Sequence, residues 1–248
     1  MRDADENGWV SSAEAWITRS ADGGDFSRRH VLDAPMMERA EVLGGGDALD
    51  VGCGEGRFCR MLQPLGFRTI GLDPVPAMVS AAQQQDADGT YVQGFAEALP
   101  FVDASFDLVV SYLSLIDIDD AETAIAEMAR VLRPGGRVLI ANLASFATSS
   151  YIFGKRRCAD TGEQLRPLGH YLRTEKMWFA WDGLRVQNWH RPLSHYMQWF
   201  VAQGLALTHF DEPQPTTGPA ERIASYQEMP YLMMMEWQKP PKAPQNIE

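Results

Sequence analysis

Three aspartates and a run of alternating glycines are the first residues in this chain that could do chemistry. Asp50 precedes Gly52, Gly54 and Gly56 in Ala48-Leu-Asp-Val-Gly-Cys-Gly-Glu-Gly-Arg57, and Asp73 closes Phe67-Arg-Thr-Ile-Gly-Leu-Asp73. Such glycines let a turn take φ > 0 and let a ligand come close to the backbone. The helix-opening N–H groups beyond them then face an anionic group. The spacing is G-x-G-x-G, with Arg57 where a dinucleotide fingerprint wants its third glycine, and this argues against pyrophosphate. An acid at a strand end, roughly 20 residues past the glycines, is placed to hold ribose hydroxyls. The third carboxylate, Asp117 in Ser111-Tyr-Leu-Ser-Leu-Ile-Asp-Ile-Asp119, could accept a proton or cap the helix that follows. His190, in Asn188-Trp-His-Arg-Pro-Leu-Ser194, titrates near working pH and is the stronger candidate for a general base. His170 and Tyr171 are weaker candidates, and His195 and His209 read as surface and structural residues.

These groups need elements to position them. Phe58, Met61, Leu62 and Leu65 recur at i, i+3, i+4 and i+7, so a helix follows the glycines. The pattern predicts strands at 47–52, 67–73, 90–95, 106–111 and 136–142, and helices at 55–65, 76–85 and 120–132. Asp119 or Asp120 caps the last helix. Strands separated by helices imply a parallel sheet with right-handed crossovers. Ahead of it, a short helix from Trp9 to about Ile17, capped by Ser11 or Ser12, precedes a second from about Phe26 to Leu43, interrupted near Pro35. Beyond Asn142 the character changes to aromatics and loops. Met177-Trp-Phe-Ala-Trp181, Asp182-Gly183 and Leu184-Arg-Val-Gln-Asn-Trp189 read as a hairpin with a type I′ turn. A helix capped by Ser194 and stopped by Gly204, a strand at 205–210, a loop over 211–230 and a final strand at 231–237 complete the chain.

Five segments arrive in one order: Leu49-Asp-Val-Gly-Cys-Gly-Glu-Gly56, Gly71-Leu-Asp73, Ala96-Glu-Ala-Leu-Pro-Phe101, Ser105-Phe-Asp-Leu-Val-Val-Ser111 and Val131-Leu-Arg-Pro-Gly-Gly-Arg-Val-Leu-Ile140. Together they resemble a class I S-adenosylmethionine-dependent methyltransferase, small-molecule type and type 11-like, over about residues 45 to 145. The resemblance implies an α/β fold: a Rossmann-like seven-stranded mixed sheet, helices on both faces and the last strand antiparallel between its neighbours. It implies an N-terminal helical lid over 1–45, a cofactor-binding domain over 46–144 and 193–240, and a substrate cap over 145–192. Arg28, Trp16 and His30 are candidate lid residues. Gly52, Cys53 and Gly54 would approach the methionine carboxylate, and Asp50 would order that turn or meet the amino group. Asp73 would take the ribose diol, with Pro74 and Met78 against the adenine. Ser111 would offer its carbonyl to the amino group, with Tyr112 beside it. Phe95 stands where relatives have an acid, so adenine would stack on Phe95 while Ala96, next to Glu97, donates its N–H. Many relatives carry a His pair near Ile116-Asp117; its loss here leaves His190, Asp117 and Tyr112 as the catalytic candidates, with no metal.

Composition narrows the substrates. A formal charge of −11 over 248 residues disfavours a nucleic-acid substrate. Cys53, Cys59 and Cys158 form no even framework, which fits a reduced cytoplasmic setting. The polar N-terminus lacks a signal-peptide pattern, and no run approaches a membrane span. The sequence therefore predicts an enzyme, monomer or homodimer, that methylates an oxygen, or next a nitrogen, of a small aromatic or apolar molecule. A cofactor-binding protein without catalysis, or a tRNA or protein methyltransferase, is the alternative reading.

Overall fold

The computed structural model describes residues 6–21, 23–151 and 155–242. The apolar run before the glycines forms β1 (Gly46–Val51), whose last four residues are buried. Gly56, at φ 76°, then turns the chain into α3 (Arg57–Leu62), and a 3₁₀ turn, Gln63–Leu65, leads to β2 (Phe67–Asp73). The remaining crossover units are α4 (Pro76–Gln85), β3 (Thr90–Gln93), β4 (Phe106–Tyr112), α5 (Ala121–Val131) and β5 (Leu132–Leu143). β6 (Ala206–Asp211) and β7 (Leu232–Gln238) finish one seven-stranded sheet of order β6-β7-β5-β4-β1-β2-β3. β1 to β5 pair in parallel, and β7 runs antiparallel to both β5 and β6, the mixed sheet implied above.

Apolar residues fill both faces of the sheet. Ile125, Met128, Tyr196 and Phe200 pack over one face with Val109, Val138 and Trp237. Val31, Leu32, Met36, Phe58 and Leu62 cover the other, against Leu108, Val110 and Met234. Successive strands step outward from β1 through β2 to β3, and then the chain returns to β4 on the other flank of β1. That reversal opens a crevice at the strands' C-terminal ends, where open α/β sheets bind ligands.

α1 (Trp9–Ser20) begins after Gly8, not on a serine cap; Ser12 instead bonds Arg185 across the molecule. A π-helical turn, Arg28–Leu32, runs into α2 (Asp33–Glu41), so the irregularity lies ahead of Pro35. Asp120, and not Asp119, caps α5 by accepting the Thr123 N–H. After α6 (Ser145–Tyr151), the hairpin strands are Glu175–Trp181 and Leu184–His190, with Asp182 and Gly183 both at positive φ as a type I′ turn requires. α7 (Leu193–Ala202) starts at Pro192, whose fixed φ suits a helix entry, ahead of the expected Ser194. The segment read as a loop holds α8 (Ala220–Gln227). Among the described residues no helix is long and apolar enough to cross a membrane.

Candidate functional site

The glycine turn forms the floor of a cavity at the C-terminal ends of β1, β2 and β4. Gly52 must be glycine: it sits at φ 76°, and a Cβ there would lie 2.4 Å from the Ser114 Cβ. Behind it the Ser114 hydroxyl donates to the Val51 carbonyl at 2.5 Å and meets the Ser111 hydroxyl at 2.7 Å. Asp73 locks the turn from the side. One carboxylate oxygen accepts the Gly54 N–H and the other the Val75 N–H, each at 2.9 Å. Burial outweighs these two donors and pushes the Asp73 pKa up to about 6. Asp50 is 2 % exposed; its Oδ2 faces the Cys59 thiol at 3.7 Å, while its Oδ1 has no partner among the described residues. Burial, reinforced by Asp73 and Glu55, raises its pKa to about 7. The same burial raises the Cys53 and Cys59 thiols well above their usual range, so neither is a nucleophile.

α1 and the π turn roof this floor. Trp16 donates its ring N–H to Glu55 at 3.0 Å, and the Arg28 guanidinium lies over the Trp16 ring at 4.6 Å while bonding Asp25 at 2.7 Å. Arg57, in place of the third dinucleotide glycine, grips Asp33 with both guanidinium nitrogens, and Asp33 also accepts the Tyr112 hydroxyl at 2.8 Å. Buried beside Asp33, that hydroxyl has its pKa raised and stays protonated. This Arg57–Asp33–Tyr112 bridge joins α2 to the floor. No motif announced it, because its members lie 24 and 79 residues apart.

The far wall is the loop after β4. Asp117 accepts from the Asn188 amide of the hairpin and from the Trp9 ring N–H, both neutral donors, and burial lifts its pKa to about 7. Asp119 accepts the Trp189 ring N–H at 2.9 Å and pairs with Lys176 at 2.9 Å. The hairpin therefore buttresses the cavity from behind. It also receives the N-terminal segment, the Gln187 N–H donating to the Asn7 carbonyl at 2.9 Å.

Of the residues singled out in the sequence, the cavity brings together Arg28, Asp50, Gly52, Cys53, Gly54, Asp73, Pro74, Met78, Phe95, Ala96, Glu97, Tyr112 and Asp117, with Trp16. Ser111, expected to act through its carbonyl, keeps its side chain buried behind the wall, while Leu113 and Ser114 face the cavity. One candidate lies apart from the cavity. His190 is fully buried outside it, with Nδ1 2.7 Å from the Thr148 hydroxyl and Nε2 donating to the Tyr171 carbonyl at 2.9 Å. With both nitrogens used and its pKa lowered by burial, it is a structural histidine. His30 faces Thr217 and Phe26. Of 145–192, expected as the substrate cap, no described residue lines the cavity; the aromatic lining is Trp9, Trp16, Phe58, Phe95 and Tyr112. Ser114, Trp9, Glu55 and Asn188 are the contributors that sequence reasoning missed.

The lining fits S-adenosylmethionine. Asp50, a lining residue, keeps its buried Oδ1 without a partner among the described residues, and Gly54 leaves room for close approach, its nearest neighbour being Trp16 at 3.7 Å from an added Cβ. Such an acceptor asks for a cationic or hydrogen-bond-donating group.

Comparison with known proteins gives the same frame. A family model described as "Methyltransferase domain" matches residues 49–140. A malonyl-[acyl-carrier protein] O-methyltransferase of Serratia marcescens is 36 % identical over 147 residues, 55 % of this chain and 58 % of the relative. An uncharacterized methyltransferase of Synechocystis is 33 % identical over 137 residues, 54 % of this chain and 63 % of that one. The chain thus spans about three fifths of the length of these relatives. Among solved structures, an S-adenosylmethionine dependent methyltransferase from Mesorhizobium loti matches 87 % of this chain and 98 % of its own, with TM-score 0.74 and 24 % identity.

Proposed function

We propose that the chain, whose residues 49–140 match the methyltransferase-domain model, is a class I S-adenosylmethionine-dependent methyltransferase that methylates an oxygen or nitrogen atom of a small molecule with an apolar or aromatic body. The charge of the cavity carries this reading. Among the described residues no cation bonds buried Asp50 or Asp73, and the two arginines in the lining are tied to Asp25 and Asp33. Such a floor repels a pyrophosphate and attracts a sulfonium with its ammonium. The O-methyltransferase named among the relatives supports an oxygen acceptor, and the acidic lining supports nitrogen.

When bound, S-adenosylmethionine supplies a methyl group on positively charged sulfur, already activated for in-line displacement. The protein's task is to bind, orient and exclude water. Asp73 is placed to accept from the ribose hydroxyls through the lone pairs its backbone donors leave free. Asp50 Oδ1 is placed for the amino group, and the glycine turn at Gly52 to Gly54 for the carboxylate. Trp9, Trp16 and Phe95 shield the cationic centre with aromatic surface. Asp117 is placed to take a proton from the acceptor, the role expected of His190 in the sequence.

Calorimetric titration with S-adenosylmethionine, and separately with NADH, tests the reading. Binding of the former alone, weakened at least about a hundredfold by Asp73→Ala as a charged hydrogen-bond acceptor is lost, is the expected result. Binding of NADH instead would overturn it. Binding of S-adenosylmethionine without turnover of any phenol, amine or carboxylic acid would favour a non-catalytic binding protein.

A further inference from the structure

The wall opposite the glycine floor contains one carboxylate whose partners do not account for its charge. Asp119, two residues on, is neutralised by Lys176. Glu55 takes the Trp16 N–H at the floor. Among the described residues Asp117 accepts from the Asn188 amide and the Trp9 indole, and Arg28, itself paired with Asp25, acts on it only at a distance. Both donors fix its orientation, and neither offsets its charge. A side chain held this way, in a cavity that is otherwise acidic, favours a cation brought from outside. Around it stand Trp9, Ile118 and Leu113, with Trp16 and Phe95 in the same cavity, an apolar and aromatic surround.

We propose that the methyl acceptor is a primary or secondary amine on an apolar or aromatic body, and that Asp117, held by Asn188 and Trp9, pairs with its ammonium and takes its proton. This rests on the reading of the cavity as a methyl-transfer site and names the substrate class for it. The N–H bond of the ammonium breaks and its proton forms the O–H bond of the Asp117 carboxyl. The nitrogen lone pair so freed forms the new bond to the methyl carbon, and the carbon–sulfur bond breaks with its electron pair going to sulfur. The sulfonium becomes a neutral thioether and the methylated nitrogen carries the positive charge. An acceptor acid is disfavoured by the same geometry: its carboxylate would face Asp117 and Asp50, while Arg28 and Arg57 are already engaged by Asp25 and Asp33.

The test uses three probes of one shape: 2-phenylethylamine, 2-phenylethanol and phenylacetate, titrated calorimetrically into the full chain with S-adenosylhomocysteine present. The amine should bind more tightly than the other two. Asp117→Asn should weaken the amine at least about tenfold and leave the alcohol unchanged, as loss of a charge pair predicts. Asn188→Ala should weaken the amine to a smaller extent, because it frees the carboxylate without removing it, and Asn188→Gln should restore part of the loss. Retained S-adenosylhomocysteine binding in each variant reports that the floor is folded. Phenylacetate binding as tightly as the amine, an amine affinity untouched by Asp117→Asn, or no amine binding at millimolar concentration would each overturn the proposal. Failure of the parent protein to bind S-adenosylhomocysteine would instead overturn the methyl-transfer reading. A titration of the amine without it still reads the Asp117 pairing on its own.

Discussion

Asp73 and Asp117 are two buried-side carboxylates of one cavity, and the fold holds them in opposite ways. Asp73 is fixed by main-chain N–H groups of Val75 and Gly54, two and 19 residues along the chain. Asp117 is fixed by side chains of Trp9 and Asn188, from α1 and the hairpin. The floor is thus built by backbone geometry, which few substitutions can imitate. The wall is built by side chains of α1 and the hairpin.

The sharpest way to break this contrast is at the floor. Gly52→Ala places a Cβ against Ser114 at positive φ, and should cost about 3 kcal/mol in chemical unfolding and abolish S-adenosylmethionine binding. A variant that bound normally would show the floor to be as adaptable as the wall.

The second prediction concerns the hairpin. His190→Leu leaves the Tyr171 carbonyl without its donor and the Thr148 hydroxyl with the Ser145 carbonyl alone, and should lower stability by about 2 kcal/mol. The pH profile of methyl transfer should stay where it is in the parent, because the ring does not reach the cavity. A profile that loses its acidic limb would restore His190 as the base. Since its pKa is lowered in the fold, this histidine also makes the parent lose stability as pH falls through the ordinary imidazole range, and the variant should lack that loss.

The smallest effect separates binding from stability within the floor. The Asp50 pKa is raised to about 7, so its contribution is fully present below the unfolded value of 3.8 and is lost as pH rises through about 7. Asp50→Asn has no such loss. It should match the parent at about pH 4 and exceed it at pH 8 in thermal or urea unfolding, while binding S-adenosylmethionine more weakly. Equal stability at both pH values would mean that the carboxylate is not strained by its burial.

The site was legible to the extent that it is local. Gly52, Gly54, Asp50 and Asp73 lie on one strand-turn-helix unit and the strand after it, so their spacing already put them together. The hairpin was legible for the same reason: Asp182-Gly183 between two alternating runs specifies its own turn. What failed were readings that depended on what a segment packs against. The aromatics of 145–192 suggested a cap over the substrate; of them Trp189 bonds Asp119 at the wall, and no described residue of the segment lines the cavity. His190 had the right chemistry in a position that turned out to be sealed by Thr148 and Tyr171. Ser12 looked like a helix cap and instead serves Arg185, 173 residues away.

Sequence alone determined the parallel α/β core and the glycine turn, because each is set by short-range rules of side-chain periodicity and positive φ, while the class of cofactor followed from the resemblance of five ordered segments to a methyltransferase family. The tertiary structure alone decided which aspartates have no cation bonded to them, which histidine is shut away, and that α1 and the hairpin meet at Asp117. Those outcomes depend on burial and on contacts between residues 70 or more positions apart, and no local pattern encodes them.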